Sequence, residues 1–290
     1  MDQAAAGGKL TAILDDIKIQ HTIFALPFAL MSAFIAADGW PGGRVFLLIL
    51  AAMFFARSAA MAFNRMADAA YDARNPRTLR RALPAGRVTR LEYGLFTLLC
   101  SAAFVAVCAL INDLAFALSI PALGIVFFYS FTKRFTAYSH FFLGLALALA
   151  PVGAWIAVKG AVGWLPLVLG AAVIFWLAGL DTIYACQDVD FDRGARLNSI
   201  PGRFGVARAL KLAAAFHAVM VVLLAVMAAW GPLSWLFAAG VAFTAAMLWY
   251  EHSLVKPEDL TRVNVAFFNV NGVISAGLMA FAIADTLALG

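Results

Sequence analysis

The chain has 290 residues, of which 64% are hydrophobic and 13% charged, with a formal net charge of +5. A soluble domain carries about a quarter charged residues, so this chain has too little polar surface to cover itself in water. The positive balance does not point to nucleic acid, because the lysines and arginines collect in the connections on one side of the apolar segments.

The first twenty residues carry Asp2, Asp15 and Asp16 beside Lys9 and Lys18. They lack an apolar core ending in a small-residue cleavage site and do not read as a cleaved signal peptide. Apolar runs then recur at 19–38, 44–63, 91–111, 113–131, 139–158, 164–184, 209–229, 232–250 and 266–289. Each is near the ~20 residues that a helix needs to cross a bilayer. The runs are continuously apolar, rich in Ala, Leu and Phe, and too long for strands, which argues against a β-barrel. The predicted fold is all-α, a polytopic membrane protein of about nine transmembrane helices, with residues 1–290 forming a single domain. Cys100 and Cys108 share one run and Cys186 lies beside an acidic motif. This spacing suits neither a disulfide nor a metal site, and small buried side chains are expected.

Assigning the connections alternately to two sides separates the charges. The amino terminus carries 2 Lys/Arg, 64–90 carries 7, 132–138 carries 2, 185–211 carries 5 and 251–265 carries 2. The opposite side has Arg44 and Lys159, and Arg57 sits within a run. By the positive-inside rule the amino terminus and both long polar loops are predicted to be cytoplasmic. Those loops share a plan: each follows an apolar helix, opens with helically spaced polar residues and passes through an Arg-rich stretch to Pro and Gly (Leu83-Pro84-Ala85-Gly86; Ile200-Pro201-Gly202). Two halves facing one shared site are expected.

In the first loop Asn64, Asp68 and Asp72 fall at i, i+4 and i+8, one stripe of a helix, with Arg57 close to the same face. A charge inside a span is costly and usually faces a polar cavity or a partner. Mg²⁺ favours one or two carboxylates together with water and phosphate oxygens, which such a stripe supplies. Arg74, Arg77, Arg80, Arg81, Arg87 and Arg90 follow and offer the cationic half of a diphosphate site. In the second loop Asp181, Tyr184, Asp188 and Asp192 fall at i, i+3, i+7 and i+11, predicting one face of a helix that emerges from a span. Asp190 points elsewhere on that helix and reads as a solvated acid. Facing carboxylate stripes repel one another, and a divalent cation between them removes that cost.

The chain resembles the UbiA superfamily of intramembrane prenyltransferases. The resemblance rests on Asn64-Arg65-x-x-Asp68-x-x-x-Asp72, on Arg77-Thr78-x-x-Arg81-Ala82-Leu83-Pro84-x-Gly86 and on Asp181-Thr182-x-Tyr184-Ala185-x-x-Asp188-x-x-x-Asp192. Tyr129-x-x-x-Lys133-Arg134-Phe135-Thr136, Leu143-Gly144 and Asn264 to Asn271 extend it over nearly the whole chain. It implies nine helices around a central cavity, both motifs on the cytoplasmic side, and Mg²⁺-dependent transfer of a polyprenyl group from its diphosphate to an aromatic or other lipophilic acceptor. Within the superfamily the pattern is most similar to the 4-hydroxybenzoate polyprenyltransferases of quinone biosynthesis, in ubiquinone or menaquinone routes. The stretch His21-Thr22-Ile23-Phe24-Ala25-Leu26-Pro27 leans toward the branch associated with menaquinone by the futalosine route. Arg65 departs from the pattern, since many members have Asp directly after the first Asn.

On this resemblance Asn64, Asp68, Asp72, Asp188 and Asp192 are the expected Mg²⁺ ligands. Arg77, Arg81, Lys133 and Arg134 would neutralise the departing diphosphate. Asp181 is the candidate to orient or deprotonate the acceptor, and Arg57, Asn64, Arg65, Tyr129 and Tyr184 are candidate substrate contacts. The expected partners are polyprenyl diphosphate, an aromatic acceptor and the lipid bilayer. A polytopic transporter is the competing class, because Arg57 and Asp181 would also suit an intramembrane substrate pathway.

Overall fold

The computed structural model describes residues 8–17 and 25–288. Helix α1 (Lys9–Asp16) is followed by α2 (Leu26–Ala37), α3 (Gly43–Asp72), α4 (Arg90–Ile111), α5 (Asp113–Thr132), α6 (Ser139–Lys159) and α7 (Trp164–Ala185). A 3₁₀ turn at Cys186–Asp188 leads into the short helices α8 (Val189–Gly194) and α9 (Ile200–Phe204). Then come α10 (Val206–Trp230), α11 (Trp235–Leu254), a π-helical segment (Val265–Val270) and α12 (Asn271–Ala288). The all-α prediction holds.

Eight of the apolar runs overlap α3 to α7, α10, α11 and α12 with its π-helical lead-in, and the described residues of the first run include α2. Seven helices among the described residues are long and apolar enough to cross a membrane by length and composition. Helix α2 is a shorter apolar helix of 12 residues, and α11 carries Trp249, Tyr250, Glu251 and His252 in its last turns, which lower its apolarity. Most of the stretch beginning at His21 lies outside the described residues.

Local sequence explains the boundaries. Asp38 closes α2 in the left-handed conformation. Thr89 and Glu92 form a reciprocal capping box at the start of α4, and the Asn112 side chain accepts from the Ala115 amide to start α5. Helix α3 has 30 residues, which at 1.5 Å each reach about 45 Å against a hydrocarbon core of ~30 Å. Its polar carboxyl-terminal turns therefore project past the apolar layer, and they carry Asn64, Asp68 and Asp72.

Helix α7 is the central element. It packs on α6 and α10, and Trp176, Leu180 and Ile183 are fully buried along it. Its approach to α6 depends on Gly144, where a Cβ would lie 2.7 Å from the Ile174 carbonyl oxygen. Behind α7, Trp176 Nε1 donates to Asn271 Oδ1 (2.7 Å) and Asn271 Nδ2 donates to Glu251 Oε1 (2.8 Å), joining α7, α11 and α12. At the other end of the bundle buried Asp285 accepts from the Ser234 and Phe237 amides, and so serves as a helix cap for α11.

Candidate active site

A polar cleft of about 210 Å³ opens where α3, α5, α6 and α7 end and the two arginine-rich loops cross them. One wall is the projecting end of α3. Asn64 Nδ2 donates to Asp68 Oδ2 at 3.0 Å, as i to i+4 spacing allows. One turn on, Asp72 is buried and receives Arg81 Nη1 at 2.7 Å from both carboxylate oxygens. Thr78 Oγ1 also donates to the Asp72 carbonyl, folding the loop back on the helix.

The opposite wall is built from α7, the 3₁₀ turn and α8. The single helix predicted to carry Asp181, Tyr184, Asp188 and Asp192 is not present: the chain tightens at Cys186–Asp188 before resuming as α8. Three residues of 3₁₀ geometry advance the chain by about 60° beyond an α-helix. Asp181, Asp188 and Asp192 nonetheless all line the cleft. Asp190 is exposed, as a solvated acid should be. Arg77 straps this wall, donating through Nη2 to Asp188 Oδ2 (2.5 Å) and through Nη1 to the Tyr184 hydroxyl (2.6 Å). Arg77 and Arg81, one helical turn apart in sequence, thus serve opposite acidic walls.

Lys133 and Arg134 enter between the walls directly after α5. Burial alone would lower the Lys133 pKa, but the surrounding Asp181, Asp192, Asp188 and Asp68 carboxylates raise it overall. Arg134 Nη2 donates to the Ala67 carbonyl (2.7 Å) and lies 3.9 Å from Asp68 Oδ1. Four cations and five carboxylates therefore share one small cleft.

The expected metal-ligand set is not preassembled. Among the described residues no group of three or more His, Cys, Asp or Glu side chains is close enough to hold a metal ion. The physical reason is that Asp72 and Asp188 are engaged by Arg81 and Arg77. The donor chemistry still suits a hard cation. Asp192 is 2% exposed, lines the cleft, and its Oδ2 is buried with no hydrogen-bond partner. Such an oxygen is costly to leave unsatisfied.

Arg65 and Tyr184, two of the expected substrate contacts, are not among the cleft's lining residues. Arg65 is buried behind the cleft wall, where its Nη1 donates to Asn64 Oδ1 at 3.4 Å. It donates to the Asp16 carbonyl (3.0 Å from Nη2) and pairs with the Asp16 carboxylate at 3.5 Å, while the Tyr93 hydroxyl donates to the same carboxylate. One position beyond Asn64 is about 100° around α3, which aims Arg65 at α1. Tyr184 does not line the cleft and acts on it through Arg77. Its other face meets Phe267 of the π-helical segment, ring centroids 4.3 Å apart.

Arg57 lies deeper. It lines a second, apolar cavity of about 330 Å³ between α3, α4, α5 and α6. Tyr129 and Leu143 line both spaces. Among the described residues lining the apolar cavity, Arg57 is the one charged side chain.

Sequence reasoning missed Ser139 and His140 at the start of α6. Ser139 lines the cleft with a buried Oγ that has no hydrogen-bond partner. His140 is fully buried, and its Nδ1 lies 2.6 Å from Asp181 Oδ2. The signal available was position: the pair sits between Lys133-Arg134-Phe135-Thr136 and Leu143-Gly144, segments already singled out.

Two acidic motifs thus line opposite walls of a cleft that shares Tyr129 and Leu143 with a neighbouring apolar cavity. Residues 25–273 match the UbiA prenyltransferase family. The chain belongs to this family. Among curated relatives, the 4-hydroxybenzoate octaprenyltransferase of Methylobacillus flagellatus is 31% identical, over 87% of this chain and 86% of that protein. The enzyme of the same name from Cupriavidus necator is 33% identical, over 86% and 87%. A UbiA homolog from Aeropyrum pernix K1 superposes with a TM-score of 0.83 at 34% identity, covering 93% of this prenyltransferase and 99% of that chain. A UbiA homolog from Archaeoglobus fulgidus bound to GPP and Mg²⁺ shares the fold, with a TM-score of 0.75 at 24% identity over 97% and 100% of the two chains. The prenyltransferase is therefore an integral membrane enzyme, and the transporter reading is set aside.

Proposed function

We propose that this chain, acting as one domain over residues 1–290, transfers a polyprenyl group from polyprenyl diphosphate to an aromatic acceptor in a Mg²⁺-dependent reaction. The acceptor is 4-hydroxybenzoate or a related quinone precursor. The cleft faces the cytoplasm at the bacterial inner membrane, as the lysine and arginine placement supports. The observation that carries the reading is the pairing of Arg81 with Asp72 and of Arg77 with Asp188 at one cleft that shares lining residues with an apolar cavity. The names of the curated relatives support the aromatic acceptor.

Asn64, Asp68 and Asp72 on one wall and Asp188 and Asp192 on the other would hold Mg²⁺, which supplies charge neutralisation of the diphosphate. Arg77, Arg81, Lys133 and Arg134 complete that neutralisation as the allylic carbon–oxygen bond breaks and its electron pair leaves with the diphosphate. Once turned onto the diphosphate, each such cation would oppose the charge growing on the departing oxygens, an effect worth about 3–4 kcal/mol for one well-placed donor. The apolar cavity receives the prenyl chain and keeps water from the allylic cation, with Tyr129 at the junction. An electron-rich ring carbon then forms the new carbon–carbon bond, and loss of its proton to Asp181 restores aromaticity. Arg57, which lines the apolar cavity, would pair with the acceptor carboxylate. It and Asp181 would address opposite ends of a para-substituted ring.

The test is transfer of radiolabelled isoprenoid in membranes. Covalent label on an aromatic acid supports the enzyme. Uptake of the diphosphate into vesicles with no new covalent product sinks it.

A further inference from the structure

His140 is fully buried at the start of α6, where both of its ring nitrogens are engaged. The Ile200 backbone N–H donates to Nε2 at 3.3 Å. An amide N–H can only donate, so Nε2 carries a lone pair and the ring hydrogen of the neutral imidazole is on Nδ1. Nδ1 lies 2.6 Å from Asp181 Oδ2. The ring is therefore a donor to Asp181, with its tautomer set by a backbone group on another element.

The same contact holds the second arginine-rich loop. Ile200 opens α9, Ser199 accepts from the Gly202 amide, and the Leu197 amide donates to the Asp192 carbonyl at 2.8 Å. Leu197 and Asp192 both line the cleft.

We propose that His140 is a positioning residue for prenyl transfer: its Nδ1–H, fixed by the Ile200 amide, holds Oδ2 of Asp181 so that the remaining carboxylate oxygen takes the acceptor proton. This rests on the reading of Asp181 as the group that serves the acceptor. An oriented carboxylate is the state in which Asp181 can accept that proton, and the histidine provides the orientation.

The test uses full-length protein with Mg²⁺, a long-chain polyprenyl diphosphate and 4-hydroxybenzoate. Removing a partner of this kind typically costs roughly 10- to 100-fold in activity. His140→Ala and His140→Gln should lose that much in kcat, with KM for the polyprenyl diphosphate changed less than about twofold. His140→Asn, whose Nδ2–H takes the place of Nδ1–H, should recover most of the loss. In an Asp181→Asn background His140→Ala should add less than about threefold, because the two residues act as one unit. Equal loss in the Asn and Ala variants, or a full multiplicative loss in the double variant, overturns the proposal and leaves His140 a structural residue. If Asp181→Asn keeps wild-type kcat, the reading of Asp181 fails and takes this one with it. If Asp181→Asn is impaired while His140→Ala is not, only the inference about His140 fails.

Discussion

Arg81 meets Asp72 with a single nitrogen, Nη1, placed 2.7 Å from each of the two carboxylate oxygens. A residue expected to bind the diphosphate thus occupies a residue expected to bind its metal. The pairing keeps a buried carboxylate from standing uncompensated, and on the proposed reading Asp72 would exchange Arg81 for Mg²⁺ when the diphosphate binds.

Arg81→Ala should therefore impair use of polyprenyl diphosphate far more than use of the acceptor. A loss of roughly 100- to 1,000-fold in kcat/KM for the diphosphate is expected, about what one preorganised donor supplies. Steady-state kinetics with each substrate varied in turn checks this, and equal losses for both would indicate general disruption.

Asp68→Ala and Asp188→Ala each remove a carboxylate from one wall. Prenyl transfer should fall below detection while the amount of protein in membranes stays near wild type. Persistent Mg²⁺-dependent turnover in either variant would remove that residue from the site.

Asp192 offers a readout that needs no catalysis. Its Oδ2 is buried without a partner, a burden of about 1–3 kcal/mol. Adding Mg²⁺ with inorganic diphosphate should raise the melting temperature of detergent-solubilised wild type. Asp192→Asn should start at or above the wild-type melting temperature without Mg²⁺ and gain little from it. A gain equal to that of wild type would show that Asp192 plays no part in binding.

Arg65 should behave differently from the other arginines. Breaking a buried pair by deleting one partner costs about 3–5 kcal/mol, so Arg65→Ala should reduce thermal stability and abundance. The KM for polyprenyl diphosphate of the surviving enzyme should stay within about twofold of wild type. A large KM change with unaltered stability would return Arg65 to the substrate.

What could be read from the sequence follows the physics of each feature. The α3 stripe was legible because Asn64, Asp68 and Asp72 lie on one regular helix, where spacing alone fixes direction. The Asp188 and Asp192 side was legible in membership but not in geometry, because the 3₁₀ turn at Cys186–Asp188 breaks the periodicity. Arg65 and His140 were not legible in their roles. Each depends on a partner distant in sequence: Asp16 lies 49 residues from Arg65, and Asp181 lies 41 residues from His140. No local pattern encodes the docking of α1 on α3. The contact of His140 with Asp181 requires the close approach of α6 and α7 that Gly144 permits.

The most direct test is incubation of membranes containing this protein with Mg²⁺, a long-chain polyprenyl diphosphate and a panel of hydroxylated aromatic acids that includes 4-hydroxybenzoate. The lipid extract is then read by mass spectrometry. The two-walled site predicts one new species whose mass is the sum of one acid and one polyprenyl group less a hydrogen from the ring, absent when Mg²⁺ is chelated and absent with Asp68→Ala or Asp188→Ala. No prenylated acid from any member of the panel, or a product that forms equally well in those variants, would contradict it.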